Sequence, residues 1–292
     1  MAQTLQLAFS GIALGCIYAL VALGFVLIYK ATETVNFAQG DLMMLGGFFG
    51  YTAVVMMGWP YWAGIILAIL AMAVFGMLTE RLVLRPVLGQ AQFTVVMVTI
   101  ALGYVMRGVV TMVPGWGTET LKLPTPFAEK VVNIGGAALA ADQIMVIVLT
   151  AALCGVLYLF FRYTRIGIAM QATSQNQLAA YYMGIPVRRI NMLIWGISAG
   201  VAAFAGILLA PVTFVHSNMG FIGLKAFPAA VVGGFGSVPG AIVGGLIIGL
   251  VESFAGFYLP EGFKDIAAYI VVLAVLMIRP SGLFGQKLRK KV

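Results

Sequence analysis

Nine apolar stretches, most of them about twenty residues long, constrain the fold of this chain more than any other feature. They cover residues 5–28, 36–57, 61–79, 92–113, 143–161, 192–212, 223–236, 238–256 and 266–278. Such a stretch matches the hydrocarbon core of a bilayer, where only helices and closed barrels satisfy their backbone hydrogen bonds. Because the sequence lacks the alternating segments of a barrel, it predicts an all-α polytopic helical membrane protein. We expect a single domain, residues 1–292, with about eight full spans plus a short broken membrane segment.

The composition supports this class and argues against several others. Hydrophobic residues make up 62% of the chain and charged residues 9%, against about 25% charged residues in an average soluble domain. The net charge of +8 comes from basic residues beside the apolar stretches, so membrane orientation explains it better than nucleic-acid binding. Cys16 and Cys154 lie inside apolar stretches and His216 is the only histidine, which argues against a disulfide framework or a metal site. The first stretch is long enough to span, so we predict a retained helix and not a signal peptide.

The distribution of charge predicts the topology. Twelve of the 17 basic residues can share one side of the membrane, and that side is predicted to be cytoplasmic because cytoplasmic segments are rich in Lys and Arg. These twelve are Lys30, Arg81, Arg85, Arg162, Arg165, Arg188, Arg189, Arg279, Lys287, Arg289, Lys290 and Lys291. An even number of crossings must then separate Asn191 from Arg279, which divides 223–256 into two segments. The N-terminus and Glu261 are expected outside, and Ser237 and the C-terminus at the cytoplasmic side.

Glycine and proline interrupt the seventh stretch. Pro228 and Pro239 flank a cluster that includes Gly233 and Gly234. Small residues let membrane helices approach closely, so helix packing explains many of these glycines. Short spans interrupted by glycine and proline also line transport pathways. The segment is therefore either a closely packed helix pair or a broken helix at a translocation interface.

Polar residues precede the apolar run of the second stretch. Asn36, Gln39, Gly40 and Asp41 lie at or near membrane depth, where a carboxylate is costly unless it is paired, capping or facing water. Helix capping by Asn36 or Asp41 is one interpretation, and contact with a transported solute is another. We take these four residues, with Gly233 and Gly234, as the candidate substrate pathway. The roles of the other charges in apolar stretches are left open: Arg107, Lys225 and Glu252.

The polar interval 162–191 carries four arginines and no acidic residue. Its central sequence, GIAMQATSQNQLAAYYM, predicts one short helix ended by Gly184 and Pro186. A disordered linker would carry more glycine, serine and charge. Since the arginines place this loop on the cytoplasmic side, we predict a rigid element that presses against a soluble partner.

Signatures of catalysis are missing from the sequence. It contains no G-x-x-x-x-G-K-[ST], no H-E-x-x-H and no G-x-S-x-G motif, and its carboxylates are few and scattered. We predict a transport subunit that is not an enzyme and has no nucleotide site, metal or cofactor of its own. Any ATP must be used by partner subunits.

Four segments resemble one family of membrane proteins. They are ALGFVLIYKATETVNFAQGDLMMLGGF, RIGIAMQATSQNQLAAYYMGIPVRRINMLIWGISAGVAAFAGIL, GLKAFPAAVVGGFGSVPGAIVGGLIIGLVES and IRPSGLFG. In this order they are similar to the permeases of bacterial ABC importers for branched-chain amino acids, of the high-affinity leucine/isoleucine/valine type. Only the 114–142 loop shows little of the resemblance. Family members often have His where this chain has Gln39.

The resemblance implies a multi-pass permease of the bacterial inner membrane with several partners. These are a second homologous permease, two cytoplasmic ABC ATPases and a periplasmic solute-binding protein. It also implies that the 162–191 loop couples to an ATPase, and we assign coupling to Gln171, Ala172, Ala179, Ala180, Gly184, Ile185, Pro186 and Arg188. The same architecture could carry urea, short amides or other amino acids. An ion-coupled secondary transporter is a further alternative, although the sequence shows neither a clear repeat nor a relay of ionisable residues.

Overall fold

The structure is a computed structural model that describes residues 2–117, 119–128, 130–134, 137–260 and 262–285. The helices of this part of the chain are α1 (Ala2–Thr32), α2 (Gln39–Tyr51), α3 (Tyr61–Thr79), α4 (Gln92–Met112), α5 (Ala141–Tyr163), α6 (Arg165–Gln175), α7 (Gln177–Tyr182), α8 (Val187–Thr213), α9 (Met219–Leu224), α10 (Ala226–Gly233), α11 (Val238–Tyr258) and α12 (Phe263–Ile278). Strands β1 (Val131–Ile134) and β2 (Ala137–Ala140) form an antiparallel hairpin in which Val131 pairs with Ala140. Each of the nine predicted apolar stretches contains helix.

Six helical segments of the described chain are long and apolar enough to cross a membrane. They are Gln3–Thr32, Tyr61–Leu84, Gln92–Met112, Ala141–Tyr163, Val187–Thr213 and Val238–Tyr258. The protein is thus a polytopic helical membrane protein, but the predicted count of about eight full spans is not confirmed. Two π-helical segments, Thr52–Met56 and Glu80–Leu84, extend α2 and α3. Helix α2 is outside the six because it is short and begins with the polar Gln39 and Asp41. Helix α12 has 16 residues, which rise about 24 Å, less than a hydrocarbon core of about 30 Å.

Helix α1 lies at the centre of the bundle. Of its most apolar window, 89% of the residues are buried inside the protein, whereas the corresponding figure for α5 is 17%. Helix α1 packs against α8, α10, α11 and α5, so its whole circumference is covered. The outward faces of α3, α4, α5 and α12 carry large exposed apolar side chains such as Leu70, Phe93 and Leu273. Because these side chains suit lipid or another apolar surface, the bundle is built to sit in a bilayer.

Small residues set the closest helix contacts. A Cβ atom at Gly15 would lie 2.9 Å from the backbone of Leu246, so α1 and α11 touch through their main chains. Helices α2 and α8 meet in the same way, because a side chain at Gly46 would overlap Ala203. Close approach of this kind is the usual basis of helix association in membranes.

The 162–191 loop, predicted to couple to an ATPase and called the coupling loop below, lies at one end of the molecule. The turn after α10 and the segment after α12 lie at the same end. Residues Lys30, Arg162 and Ser237 line one groove there, of about 620 Å³. After α12, the N–H of Leu283 donates to the carbonyl of Val232 at 2.9 Å. We call this the coupling end. The opposite end carries the 113–140 connection, where Leu121 forms a β-bridge with Val215. From the start of α8 to the end of α12, the chain therefore passes between the two ends four times. Two further positions of the topology prediction, Glu261 and Lys290, lie outside the described residues.

The prediction of one helix over the centre of the coupling loop is wrong. Asn176 separates α6 from α7, with extended backbone angles of φ −158° and ψ 106°. Its side-chain Oδ1 accepts from the N–H of Ala179 at 2.9 Å and caps α7. Asparagine is among the best N-cap residues, so it starts a new helix where a continuous one was expected. The predicted end of the element is correct, because Gly184 follows α7 with φ +81°.

The seventh stretch forms two helices, α9 and α10, separated by Lys225 alone. Lys225 keeps right-handed helical angles, φ −66° and ψ −18°, so the interruption is a single turn residue and does not fall at the glycines. Pro228 lies in the first turn of α10, where proline removes no intrahelical hydrogen bond. Gly234 ends α10 with φ +96°, and a side chain there would meet the backbone of Ser281 and Gly285. The glycines therefore make a tight turn at the coupling end instead of a break within the helix.

Candidate functional site

A buried group of polar residues ties α1, α2 and α8 together where α2 begins. The side chains of Asn36, Gln39 and Ser198 are all at most 1% exposed. Asn36 Nδ2 donates to Gln39 Oε1 at 3.3 Å, and Gln39 Nε2 donates to the carbonyl of Ser198 at 3.4 Å. The Ser198 hydroxyl lies 3.0 Å from the carbonyl of Gly24 and 3.2 Å from Gln39 Oε1. We call Gly24, Asn36, Gln39 and Ser198 the polar cluster. It places hydrogen-bonding groups where the surrounding helices are otherwise apolar.

The capping interpretation of Asn36 and Asp41 is wrong. Helix α2 has no side-chain cap, and Asn36 Oδ1 instead accepts from the N–H of Ala38, before the helix begins. Asp41 points to α4, where Arg107 Nε lies 2.5 Å from Asp41 Oδ1. Asp41 thus pairs with a distant residue, and Asn36 bonds to the segment before α2, so neither side chain caps the helix.

The Asp41–Arg107 ion pair fixes α2 to α4 and α9. Asp41 is 3% exposed, and the guanidinium of Arg107 also lies 3.8 Å from the ring centre of Phe221. Gly103 and Gly220 leave the space that the carboxylate occupies, since a Cβ at Gly220 would lie 3.1 Å from Asp41 Cγ. Removing one member of such a pair leaves a buried charge uncompensated. In this conformation Asp41 and Arg107 hold three helices in register.

The remaining candidate pathway residues occupy close helix contacts. A side chain at Gly40 would overlap Gly220 of α9, and one at Gly233 would overlap Gly240 of α11. The structure therefore brings Asn36, Gln39, Gly40 and Asp41 together at the start of α2. It places Gly233 and Gly234 at the coupling end of α10.

Aromatic residues that the sequence analysis missed join these two places. Phe37 packs against Phe227 at 5.6 Å between ring centres, and Phe227 packs against Phe235 at 5.5 Å. Phe25 and Tyr29 complete the group, at 5.8 Å from Phe227 and 4.9 Å from Phe235, respectively. This aromatic cluster fills the space between the polar cluster and the turn after α10. Its members are far apart in sequence, so no local pattern could have identified it.

The coupling loop exposes apolar side chains on α7 and directly after it. Tyr182 and Met183 are each 82% exposed. Leu178 and Tyr181 are also exposed, and we call these four residues the coupling surface. A contiguous apolar patch outside the membrane segments marks an interaction site, and tyrosine is enriched in interfaces. The predicted coupling residues Ala179 and Ala180 are the small neighbours of these four, and the LAAYYM run was the sequence signal for the apolar surface.

The predicted coupling residues divide by exposure. Ala180 is buried, at 4% exposed, and thus belongs to the support of α7 and not to its surface. Ala172 and Ile185 are partly buried. The exposed members are Gln171, Ala179, Gly184, Pro186 and Arg188.

Hydrogen bonds fix the coupling loop to the membrane helices. Gln177 Nε2 donates to the carbonyl of Ala31 at 2.5 Å, which ties the start of α7 to the last turn of α1. Gln171 Nε2 donates to the carbonyl of Phe161 at 3.1 Å, and Arg85 donates to the carbonyl of Arg188 at 3.4 Å. A displacement of α7 would therefore reach α1 directly. Among the described residues, no three His, Cys, Asp or Glu side chains gather as metal ligands.

Comparisons with known proteins agree over almost the whole chain. The family model described as "Branched-chain amino acid transport system / permease component" matches residues 7–278. The chain is 32% identical to the high-affinity branched-chain amino acid transport system permease protein LivH of Salmonella typhimurium, covering 99% of this chain and 97% of that protein. It is 30% identical to the corresponding permease BraD of Pseudomonas aeruginosa, covering 99% and 98%. The fold is similar to a chain of PsaBC from Streptococcus pneumoniae, with a TM-score of 0.51 and 14% identity over 96% of this chain and 93% of that one.

Proposed function

This chain belongs to the family of permease components of branched-chain amino acid transport systems, and from that premise we propose that it carries branched-chain or related neutral amino acids into the cytoplasm. It acts as the membrane-spanning subunit of an ABC importer, driven by separate ATPase subunits. The observation that carries this proposal is the match of the family model to residues 7–278, which includes every membrane helix. Similarity at 30–32% identity to named branched-chain amino acid permeases supports the substrate class.

The coupling surface is the docking site for a cytoplasmic ATPase. Leu178, Tyr181, Tyr182 and Met183 offer aromatic and aliphatic side chains of the kind that anchor protein interfaces. The complete importer contains this chain, a second homologous permease, two ATPases and a periplasmic binding protein. In that arrangement ATP is bound by the partners, and this chain transmits their motion.

The path of that motion runs from α7 into the centre of the bundle. The Gln177–Ala31 hydrogen bond links α7 to the end of α1, and residues 33–38 lead from there to the polar cluster. A movement of α1 relative to α10 would separate Phe25 and Tyr29 from Phe227 and Phe235. The aromatic cluster is then the gate on the cytoplasmic half of the path, and the polar cluster lies directly behind it. Closed rings exclude water and solute, and their separation opens the path.

The coupling end faces the cytoplasm in this proposal. Nine membrane-embedded segments, about eight full spans and the broken α9–α10 unit, then place the N-terminus outside and the C-terminus inside a bacterial inner membrane. The enrichment of basic residues at the coupling end supports this orientation. Cysteine-accessibility labelling at positions 237, 261 and 290, after replacement of Cys16 and Cys154, tests it. Labelling of positions 261 and 290 from the same side would contradict the topology.

Reconstitution of the importer tests the function itself. The permease pair and the ATPases are placed in liposomes, and the binding protein is added on the outside with one solute at a time. Leucine, isoleucine or valine should stimulate ATP hydrolysis and enter the vesicles. Urea and short amides, the solutes of the alternative hypothesis, should do neither. Uptake that needs an ion gradient but no ATP would instead indicate a secondary transporter.

A further inference from the structure

A second cavity opens at the end of the molecule opposite the coupling loop. It has a volume of about 440 Å³, within the range of small-molecule sites. Six helices line it. Helices α1, α5, α8, α11 and α12 do so with the ends that lie away from the coupling loop, and α9 does so near its junction with α10. Their lining residues include Ser10 of α1, Gln143 of α5, Thr213 of α8, Lys225 at the α9–α10 junction, Ser253 of α11 and Lys264 of α12. Its position is that of an entrance from the outer side.

One wall of this cavity carries a buried carboxylate. Glu252 is 2% exposed, and its Oε2 accepts from the hydroxyl of Tyr18 at 2.6 Å. The other oxygen, Oε1, lies 3.7 Å from Nζ of Lys225, which is beyond hydrogen-bond distance. Lys225 makes its close contact with Asp265, at 2.5 Å. Within the cavity lining, Glu252 Oε1 is therefore a carboxylate oxygen that can accept a further hydrogen bond.

Charges of both signs line the cavity. Glu252 is the buried anion of the wall and Lys225 and Lys264 are its cations, whereas Asp265 pairs with Lys225 from an exposed position outside the lining. A wall that carries both signs favours a ligand that also carries both charges, because a lone charge on the ligand would leave one group of the wall uncompensated.

One part of the cavity wall is aliphatic. Branched or small apolar side chains from α1, α5, α8 and α9 line it: Leu14, Ile17, Val146, Leu209, Val212 and Ile222. Burying an aliphatic side chain of a ligand against this wall is favourable in proportion to the apolar area removed from water.

We propose that this cavity is a receiving site for a zwitterionic aliphatic amino acid. The α-ammonium group donates to Glu252 Oε1, the α-carboxylate lies against Lys225 and Lys264, and the side chain packs on the aliphatic wall. This inference rests on the proposed function and adds a binding site within the permease itself. Lys225 also joins α9 to α10, so the bound solute contacts the junction of these two helices.

Binding of simple ligands to the assembled importer tests the site. The permease–ATPase complex is held in lipid nanodiscs without binding protein, and ligand binding is followed by saturation-transfer NMR. The probes are L-leucine, 4-methylpentanoate, which lacks the amino group, and 3-methylbutylamine, which lacks the carboxylate. Leucine should bind at least about tenfold more tightly than either analogue, because each analogue loses one charged hydrogen bond.

The Glu252→Gln variant separates a ligand contact from a structural role. It should weaken leucine binding by about tenfold and should not weaken 4-methylpentanoate binding, since that probe has no amino group to lose and its carboxylate meets one negative charge fewer. Glu119→Gln, an exposed acid of the 113–140 connection, is the matched control and should change neither. If Glu252→Gln fails to fold, Val212→Trp at a 57% exposed lining position should remove leucine binding by filling the cavity.

The outcomes that oppose this inference differ from those that oppose the proposed function. Equal binding of leucine and 4-methylpentanoate, or leucine binding unchanged in both Glu252→Gln and Val212→Trp, would overturn the receiving site. If the wild-type importer still takes up leucine with its binding protein, the proposed function stands without the site. If it takes up a different class of solute, the proposed function itself is wrong.

Discussion

At the start of α2, amide and hydroxyl groups lie inside a bundle of apolar helices, whereas on α7 aromatic and aliphatic side chains lie exposed on a polar segment. Gln39 is fully buried and Tyr182 is 82% exposed. The buried group is stabilised by partners on other helices, and Asp41 beside it has its own partner in Arg107. The exposed group has no such cover within the described residues. In the first region, polar residues are buried because partners inside the protein satisfy them. In the second region, apolar residues are exposed and are available to a partner outside it.

The largest effect should come from removing a charge next to the polar cluster. Asp41→Asn leaves the partly buried guanidinium of Arg107 without its carboxylate and should lower the free energy of unfolding by about 3 kcal/mol, the lower end for a buried pair. Thermal unfolding of the purified protein, followed by intrinsic fluorescence, measures this. The double variant Asp41→Asn/Arg107→Met should lose less than the sum of the single variants, because neither charge then stays alone. Additive losses would show that the pair does not hold the three helices in register.

Two neighbouring alanines on α7 sharpen the comparison. Ala180 is buried and Ala179 is exposed. The same substitution at each position therefore tests the packing beneath α7 and the exposed surface of α7 separately. Ala180→Glu places a carboxylate in an apolar contact and should loosen α7 by about 2–3 kcal/mol. Ala179→Glu should leave α7 folded and weaken only ATPase binding. Limited proteolysis of the coupling loop reports the first effect. Equal protease resistance in both variants would contradict the assigned burial.

Truncation of the coupling surface should affect assembly and spare the fold. Tyr182→Ser should weaken binding of the ATPase subunit by about tenfold and reduce solute-stimulated ATP hydrolysis, because interface tyrosines often carry much of the binding free energy. Tyr258→Ser, an exposed tyrosine at the opposite end, is the matched control for ATPase binding. Unchanged affinity in Tyr182→Ser would remove α7 from the interface.

The smallest effect should come from the cap between α6 and α7. Asn176→Ala removes the acceptor for the N–H of Ala179 and should destabilise α7 by about 1 kcal/mol. Asn176→Asp keeps an acceptor at that position and should have little effect. Hydrogen exchange of the α7 amides measures both. Faster exchange in the aspartate variant would show that capping does not explain the separation of the two helices.

Local sequence patterns located most elements of the fold but not their partners. Hydropathy identified nine apolar stretches, and each of them contains helix. Gly184 and Pro186 correctly marked the end of the last helix in the coupling loop. The prediction of a single helix in the coupling loop failed because Asn176 was treated as one polar residue within that helix. Its side chain instead caps a new helix, α7. For the seventh stretch, close helix packing and a broken helix both remained open, because glycine at a close contact, at a tight turn and at a helix break look alike in sequence.

The candidate site shows the same limit more strongly. Asn36, Gln39 and Asp41 were identified as unusual, but capping was the interpretation that local sequence favoured. Their actual partners, Ser198 and Arg107, lie 159 and 66 residues from Gln39 and Asp41, respectively. The aromatic cluster combines residues from α1, the 33–38 segment, α10 and the turn after it. No periodicity connects such distant positions.

The sequence by itself determined the class of protein, the position of its membrane helices and, through the resemblance it carries, its family. These follow from the cost of placing backbone and charge in hydrocarbon, which each segment meets alone. Only the tertiary structure decided which polar groups satisfy one another, which alanine of α7 is exposed, and that Glu252 and Lys225 face a common cavity. Those facts depend on helix packing, since a side chain's partner is set by which helices meet and at what register.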